Sequence, residues 1–330
     1  DTHEMRAMIG VLDRWDPDLY FDVHVTDGID YQYDITYGWN GSHAWSPAGS
    51  RWLDEMLRPA VDEALRAQGH VPGPLVFAVD RKDPGQGIWS WTASPRFSNG
   101  YGSARHLPTV LVENHSLEPF RRRVMGTRVL LEETLRVLAR HGEALRDATR
   151  RDRARRQDPV TLSWRAAEGP SPMLSFLGIR SERYLSPVSG DLAIRWTGEP
   201  VTMEVPVVTA DQPERRVPRP EAYWIPPAWP EVIEVLEAHG IRLERVDEPR
   251  TLQVEAYRLE EPRTADLPYE GRVRVEADVT QEARKMTFPA GSVRVPTDQP
   301  LGTLAVLLLE PQSPDSLFRW GFFNGCLQRT

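Results

Sequence analysis

The sequence predicts an α/β fold followed by a β-rich region, and three observations support this. Helical and strand-like segments alternate over residues 1–157, which is the pattern of a sheet flanked by helices. Beyond residue 158, segments of period two and frequent prolines indicate short, half-buried strands joined by turns. A basic stretch, Arg150–Arg156, lies between the two patterns and is followed by Pro159. We therefore predict two domains, 1–157 and 158–330.

Hydrophobic spacing predicts the elements of the first domain. In chain order they are a helix from residue 3, strands at Leu19–Val25 and Tyr31–Tyr37, a helix at Ser50–Gln68, strands at Leu75–Val79, Ile88–Thr92 and Thr109–Val112, and a long helix from Phe120. Asp1 or Thr2 suits the N-cap of the first helix, and Ser116, with Pro119 after it, suits that of the last. The strands Leu19–Val25 and Thr109–Val112 are almost wholly apolar, which is typical of strands buried on both faces.

The second domain shows the alternation of half-buried strands. Thr251–Tyr257 and Arg272–Ala277 alternate apolar and polar residues, and one helix, Pro230–Ala238, interrupts this pattern. The longest apolar run of the chain, Leu304–Leu309, has the length of a strand. We find no internal repeat. The second domain is therefore expected to be β-rich with a small helical insert.

The composition excludes several classes of protein. The chain has 330 residues, of which 40% are apolar and 27% charged, with a mean hydropathy of -0.48. Its longest apolar run is far shorter than the roughly 18 to 20 residues of a spanning helix, so we expect no membrane span. A net charge of -8 repels a phosphate backbone, so nucleic acid is not an expected partner. Cys326 is the single cysteine, which excludes a multi-cysteine zinc site.

Polar residues occur at the ends of two predicted buried strands. Asp22 and His24 end the first strand, and Glu113 follows the strand at Thr109–Val112. Ligands of open α/β sheets bind outside the carboxyl ends of the strands, which is where these residues would lie. Period-two geometry places Asp22 and His24 on one face, so that Asp22 is able to orient the imidazole. Glu113 is suited to act as a general base on a metal-bound water.

Several segments resemble the zinc carboxypeptidase (carboxypeptidase A-like) family, and more specifically a bacterial branch of it. They are Trp15–Tyr33, Leu111–Leu117, Tyr223–Ile233 and Leu308–Phe323, which together span nearly the whole chain. The resemblance implies an α/β domain with a mixed sheet that binds one Zn²⁺. It implies that His24 is the late zinc-binding histidine and Glu113 the catalytic glutamate. Tyr101 and Arg105 are weaker candidates for contacts with the substrate.

The family's early His-x-x-Glu pair has no counterpart in these positions. The resemblance therefore implies that this pair would precede residue 1, so that the chain would hold the C-terminal part of the catalytic domain and be inactive alone. Asp27 and the literal His-x-x-Glu at His115 and Glu118 remain alternative ligands. A turn before Gly28 and a helix start at Ser116 explain these residues without a metal.

The resemblance implies a zinc-dependent metallocarboxypeptidase that acts on peptide substrates. A deacylase of N-acyl amino acids, like the desuccinylase relatives of the family, remains an alternative. A second alternative, from another class, is a non-enzymatic module that binds a glycan or peptide, since the chain has 11 tryptophans and a β-rich second half. Periplasmic or secreted localisation is implied by the resemblance alone, and the sequence leaves the oligomeric state open.

Overall fold

The architecture is that of a computed structural model that describes residues 2–328, so that Asp1, a predicted cap, lies outside the described residues. The α-helices are α1 (His3–Trp15), α2 (Pro47–Trp52), α3 (Arg58–Ala67), α4 (Ser98–Arg105), α5 (Phe120–Ala154), α6 (Pro230–Ala238) and α7 (Gly302–Leu309). The strands are β1 (Tyr20–Val25), β2 (Ile35–Gly38), β3 (Pro72–Gly73), β4 (Phe77–Ala78), β5 (Ile88–Trp91), β6 (Thr109–Asn114), β7 (Val160–Arg165), β8 (Met173–Leu185), β9 (Leu192–Ala210), β10 (Gln212–Val217), β11 (Ala222–Ile225), β12 (Glu244–Arg245), β13 (Arg250–Thr264), β14 (Val275–Phe288) and β15 (Val293–Pro296). The mixed α/β fold with a β-rich C-terminal region is confirmed.

A four-stranded mixed sheet forms the framework of the first half. Its strand order is β1-β6-β2-β3, with β1 parallel to β6 and β2 antiparallel to β6. Apolar residues of β2 and β6 pack against helices α2, α3 and α5 in one buried cluster. Burial on both faces explains why β6 is apolar over three consecutive residues, Val110–Val112, and its polar groups Glu113 and Asn114 follow at its carboxyl end. The sheet thereby holds the end of β6 in a fixed position.

β1 differs from the buried strand that the sequence predicts. It is the edge strand of its sheet, and its last three residues are exposed to solvent. The side chains of Val23 and Val25 are 45% and 49% exposed. The expectation of burial on both faces is therefore wrong for β1, because no strand of the described residues covers its outer edge. It is correct for β6.

The second half is built from long antiparallel pairs. β8 pairs with β9 and β13 pairs with β14, and β9 also joins β5 and β4 in a four-stranded sheet. Two smaller sheets have the orders β10-β7 and β11-β15-β12. The predicted helix Pro230–Ala238 is confirmed as α6. These pairs agree with the predicted period-two pattern.

A second hydrophobic core contains α6, α7 and the strands β7, β11 and β15. Trp45 and Ala104, from the first half of the chain, are buried in the same core. Residues on both sides of the predicted boundary near residue 157 therefore contribute to one core. The division into 1–157 and 158–330 stays a prediction. No helix of the described residues is both long and apolar enough to cross a membrane.

Three local predictions have clear outcomes. Thr2 caps α1 by accepting a hydrogen bond from the backbone N–H of Met5, as expected. Pro119, and not Ser116, is the N-cap of α5, because the hydroxyl of Ser116 is engaged with Thr26 instead. The run Leu304–Leu309 lies within helix α7 and is buried throughout, because a short apolar run suits a fully buried helix as well as a strand.

Candidate active site

The parallel pairing of β1 with β6 brings the predicted site residues together. His24 lies directly opposite Glu113 in the register of the two strands, and Asp22 lies opposite Leu111. Opposite residues of neighbouring strands point to the same face of a sheet, and so do residues two apart in one strand. The side chains of Asp22, His24 and Glu113 therefore share one face at the carboxyl end of the sheet.

Asp22 fixes the orientation of the His24 ring. Oδ2 of Asp22 lies 2.8 Å from Nε2 of His24, whose side chain is 52% exposed. A carboxylate oxygen only accepts hydrogen bonds, so this contact places a proton on Nε2. In the neutral imidazole the lone pair is then on Nδ1, the nitrogen that is left to bind a metal. The predicted role of Asp22 beside His24 agrees with this geometry and stays a prediction.

Glu113 is half-buried, and its surroundings leave one oxygen without a partner. Oε2 of Glu113 is buried and accepts no hydrogen bond from the described residues. Burial raises the pKa of the Glu113 carboxyl, the electrostatic effect of nearby His24 lowers it, and the carboxylates of Asp27 and Asp22 raise it. A carboxyl with a raised pKa and a free acceptor atom is suited to take a proton from water.

Asn114 ties this end of the sheet to α5. Its Nδ2 donates to the backbone carbonyl of His24 at 3.2 Å, and its Oδ1 accepts from Oγ1 of Thr127 at 2.9 Å. The backbone at His24 is thus linked through Asn114 to the first turns of α5. The sequence analysis did not select Asn114, although an amide directly after Glu113 in an otherwise apolar strand was a usable signal.

The alternative metal ligands have other partners. The ring of His115 is 2% exposed; its Nδ1 accepts a hydrogen bond from the backbone N–H of Leu117, and its Nε2 lies 3.3 Å from the backbone nitrogen of Tyr31. Burial lowers the pKa of His115, and its Nε2 lies 3.3 Å from Asp30. Exposed Asp27 pairs with Arg81 at 3.6 Å, and Glu118 lies 3.7 Å from Arg122. Within residues 2–328, no three His, Cys, Asp or Glu side chains are grouped to hold a metal ion.

Tyr101 and Arg105 lie at the opposite end of the strands. Both belong to α4, which ends shortly before β6 begins, and Nη2 of Arg105 lies 3.5 Å from Oδ1 of Asp13, ahead of β1. Nη1 of Arg105 donates to the Tyr101 hydroxyl at 3.0 Å, and that hydroxyl lies 2.9 Å from Nδ1 of His239. The structure therefore does not bring Tyr101 or Arg105 together with His24 and Glu113. Their predicted contact with substrate stays a prediction.

An apolar groove lies at the same end of the β1–β6 pair as the candidate site, on the opposite face of the sheet. Val25 and Asn114 form one side of it, and the exposed face of α5 forms the other, over a volume of about 480 Å³. Four apolar side chains that line the groove on this face are exposed: Phe120, Val124, Leu131 and Leu135. The groove runs beside the free edge of β1. Because strand residues alternate between faces, the groove lies on the face opposite to the side chains of His24 and Glu113.

Comparisons with curated proteins find a similarity over about a third of the chain. Carboxypeptidase 2 of Trichophyton tonsurans is 34% identical over 103 residues, which are 31% of this chain and 19% of that protein. The Trichophyton rubrum carboxypeptidase 2 is 33% identical over the same length and shares, and a probable carboxypeptidase 2 of Arthroderma benhamiae is 33% identical over 99 residues, or 30% of this chain and 19% of that protein. The chain thus matches about a fifth of the length of these relatives.

These three relatives are fungal proteins named as carboxypeptidases, so the similarity supports a carboxypeptidase, and the predicted bacterial branch and zinc type stay predictions. No family model matches the chain. No solved structure matches it either.

Proposed function

We propose that the protein acts as a zinc-dependent metallocarboxypeptidase and that the carboxyl end of β1 and β6 is part of its active site. The observation that carries the proposal is the placement of His24 opposite Glu113, with Asp22 bound to the far nitrogen of the imidazole. The partial similarity to carboxypeptidase 2 supports the same reaction class. Peptides with a free C-terminus are the proposed substrates.

Each residue has a distinct role in this proposal. His24 would hold the metal through Nδ1, and Asp22 holds the imidazole in the tautomer that leaves Nδ1 free. Glu113 accepts a proton from the attacking water and returns it to the leaving amine. Zinc, when bound, lowers the pKa of its water and polarises the scissile carbonyl. Asn114 keeps the backbone of His24 in register with Glu113.

Among the described residues, no three His, Cys, Asp or Glu side chains are grouped to hold the proposed zinc. Catalytic zinc sites use three protein ligands and an open position, and His24 is the one ligand that we propose here. The remaining ligands would come from polypeptide outside residues 2–328 or from another chain. The free edge of β1 and the adjacent apolar groove support this proposal, since an unpaired edge with exposed valines is suited to receive another strand.

Metal content and turnover test the proposal in the enzyme as it occurs with all of its polypeptide. Glu113→Gln should retain stoichiometric zinc, because the residue is not a ligand, and lose turnover by about 10²-fold or more. His24→Ala should lose the metal. The matched control, Glu118→Gln, changes a nearby carboxylate and should leave both unchanged. Turnover retained by Glu113→Gln, or zinc retained by His24→Ala, would contradict the proposed roles.

A panel of substrates separates the proposed peptidase from the alternative deacylase. C-terminal peptides and N-acyl amino acids are offered to the same preparation, and the ratio of their kcat/KM values is measured. Preference for peptides is expected. Preference for N-acyl amino acids would keep His24 and Glu113 in place but change the substrate class.

A further inference from the structure

A cavity in the second half of the chain encloses a buried carboxyl that the proposed chemistry does not use. Strands β11, β13 and β14 and the end of α7 line this space, which has a volume of about 1040 Å³. Such a volume is typical of sites for small-molecule ligands. None of its lining residues belongs to β1 or β6. The cavity is therefore separate from the candidate active site.

Glu310 lies in the wall of this cavity and is 2% exposed. Its Oε1 accepts hydrogen bonds from the hydroxyls of Tyr223 at 2.6 Å and Tyr257 at 2.7 Å. Among the described residues, no donor is bonded to Oε2. Burial raises the pKa of the Glu310 carboxyl, and the two tyrosine hydroxyls oppose that shift. Glu310 thus contributes to the cavity wall a buried carboxyl with one oxygen that has no partner among the described residues.

Glu310 has no basic side chain as a partner among the residues that line the cavity. Glu221, Glu255 and Glu310 all line the cavity, and Arg294 is the basic residue among the lining residues. Arg294 is already engaged, since its guanidinium bonds Glu221 and Glu244, each at 2.8 Å. An ionised carboxylate in a buried position is stabilised when a positive charge approaches it. The cavity is therefore complementary to a cationic group.

The hydrogen bonds around Glu310 also favour a cationic ligand. The protons of both tyrosine hydroxyls are committed to Glu310, so these three groups offer acceptor atoms to the cavity. An ammonium group has donors and no acceptor, whereas a sugar hydroxyl needs partners of both kinds. The acceptor-rich end of the cavity favours an ammonium over a sugar.

Aromatic side chains provide the second part of such a site. Trp224 and Phe288 form a pair with ring centroids 5.2 Å apart, and Trp229 and Phe323 form another at 5.0 Å. All four line the cavity. The π-faces of such rings attract cations and also bury the apolar body of an organic ligand.

We propose that this cavity binds an organic cation, in which an ammonium group contacts Glu310 and an apolar body packs against the tryptophans. The ammonium belongs either to a small quaternary amine or to a lysine side chain of a peptide. Both sources place a positive charge at Glu310, only the lysine ammonium also donates hydrogen bonds, and the probes below distinguish them. The proposal does not depend on the proposed peptidase activity.

Titration calorimetry on the 330-residue chain tests the charge requirement. Choline is compared with 3,3-dimethylbutan-1-ol, its neutral carbon isostere, and N-acetyl-lysine amide is compared with N-acetyl-norleucine amide. The charged member of at least one pair should bind about tenfold or more tightly than its neutral partner. The pair that responds identifies the source. Equal binding within both pairs, no binding of either cation, or binding of N-acetylglucosamine oligomers in their place would overturn the proposal.

A charge-removing variant tests the role of Glu310. Glu310→Gln keeps an acceptor for the tyrosines and should weaken binding of the responsive cation about tenfold. The matched control is Glu221→Gln, which alters an exposed carboxylate of the same cavity and should change the affinity less than about twofold. Unchanged affinity of a folded Glu310→Gln variant would overturn the proposal.

A measurement on the unaltered chain covers the case in which Glu310→Gln does not fold. Met286 lines the cavity, whereas Met173 is exposed on β8. In a chain labelled with ¹³C at the methionine methyl groups, the responsive cation should shift the resonance of Met286 and leave that of Met173 in place. A spectrum in which Met286 does not respond would overturn the proposal.

Discussion

Polar and ionisable side chains lie at both ends of the β1–β6 strand pair, but they have hydrogen-bond partners at one end and partly lack them at the other. At the amino end, Tyr101, Arg105 and His239 form a chain of hydrogen bonds in which each side chain has a partner. At the carboxyl end, a buried oxygen of Glu113 has none, and half of the His24 side chain is open to solvent. The six residues of each strand separate the two ends by about 17 Å.

This difference indicates where the molecule is built for stability and where for chemistry. Polar groups that satisfy one another hold elements together, and they have no free atoms for a ligand. Polar groups that remain unpaired destabilise the folded chain and persist at functional sites. Substitutions at the amino end should therefore lower the free energy of unfolding, whereas those at the carboxyl end should leave it nearly unchanged.

The largest effect is expected for Arg105→Met. The Arg105 guanidinium is buried and joins α4 to α1 through Asp13, and methionine keeps the length of the side chain without its donors. We expect the free energy of unfolding, measured by urea titration, to fall by about 2–3 kcal/mol. Arg146→Met is the matched control, since Arg146 and Asp18 form an exposed pair, and should cost less than about 0.5 kcal/mol. Equal losses for both variants would contradict the contrast between the two ends.

The second-largest expected effect is a loss of the free energy of unfolding at acidic pH, caused by buried histidines at the amino end of the strand pair. Burial lowers the pKa of His239 from 6.5 to about 4, so the unfolded chain binds a proton at this residue at pH values where the folded chain does not. Stability should therefore be complete above pH 6.5 and be lost as the pH falls towards 4, by about 2–3 kcal/mol from this residue. Buried His106, whose pKa is lowered to about 3, acts in the same direction.

His239→Asn isolates the contribution of this residue. Its amide oxygen replaces Nδ1 as the acceptor for Tyr101, and it has no proton to gain in this pH range. Urea titrations at pH 7 and pH 4.5 should show a smaller loss of stability in the variant than in the unaltered chain. The same loss in both would assign the acid sensitivity to other groups.

The sequence predicted those elements whose residues are uniform enough to allow one interpretation. β6 combines β-branched residues with full burial, and α5 repeats its apolar positions at helical spacing over many turns. The sequence-based predictions were wrong where the surrounding structure determines the type or the exposure of a segment. Leu304–Leu309 became a helix because its neighbours bury it on all sides, and β1 is exposed because it lies at the edge of the sheet.

Some positions in the candidate site could be predicted from the sequence, and others could not. His24 and Glu113 could be paired in advance because parallel strands bring their carboxyl ends to one edge, a rule that does not depend on side-chain packing. The position of Tyr101 and Arg105 depends on which way α4 packs, and no local pattern encodes that. Glu310 gave no signal in the sequence, since its partners Tyr223 and Tyr257 are distant in the chain.

At the carboxyl end, Glu113→Gln should hardly alter stability. Its buried oxygen has no partner to lose, so the free energy of unfolding at pH 7 should stay the same or rise, within about 1 kcal/mol. The pH dependence should have the opposite sign to that of His239. Because the pKa of Glu113 is raised above 4.5 in the folded chain, stability falls as the pH rises above that value, and the variant should lose this component. A loss of several kcal/mol in Glu113→Gln would show that the residue is structural.

The smallest effect on stability is expected for Asp22→Asn, and it gives the most specific test of the site. The Asp22 and His24 side chains are both partly exposed, so the free energy of unfolding should change by less than about 0.5 kcal/mol. The imidazole should respond more strongly than the fold, because a carboxylate requires the proton on Nε2 whereas the asparagine amide can also donate to that nitrogen. In ¹⁵N spectra of the imidazole, His24 should be predominantly in the Nε2–H form in the unaltered chain and should gain the Nδ1–H form in Asp22→Asn. If the tautomer ratio does not change, Asp22 does not set the nitrogen that faces the metal, and the contrast between the two ends of the sheet would depend on Glu113 alone.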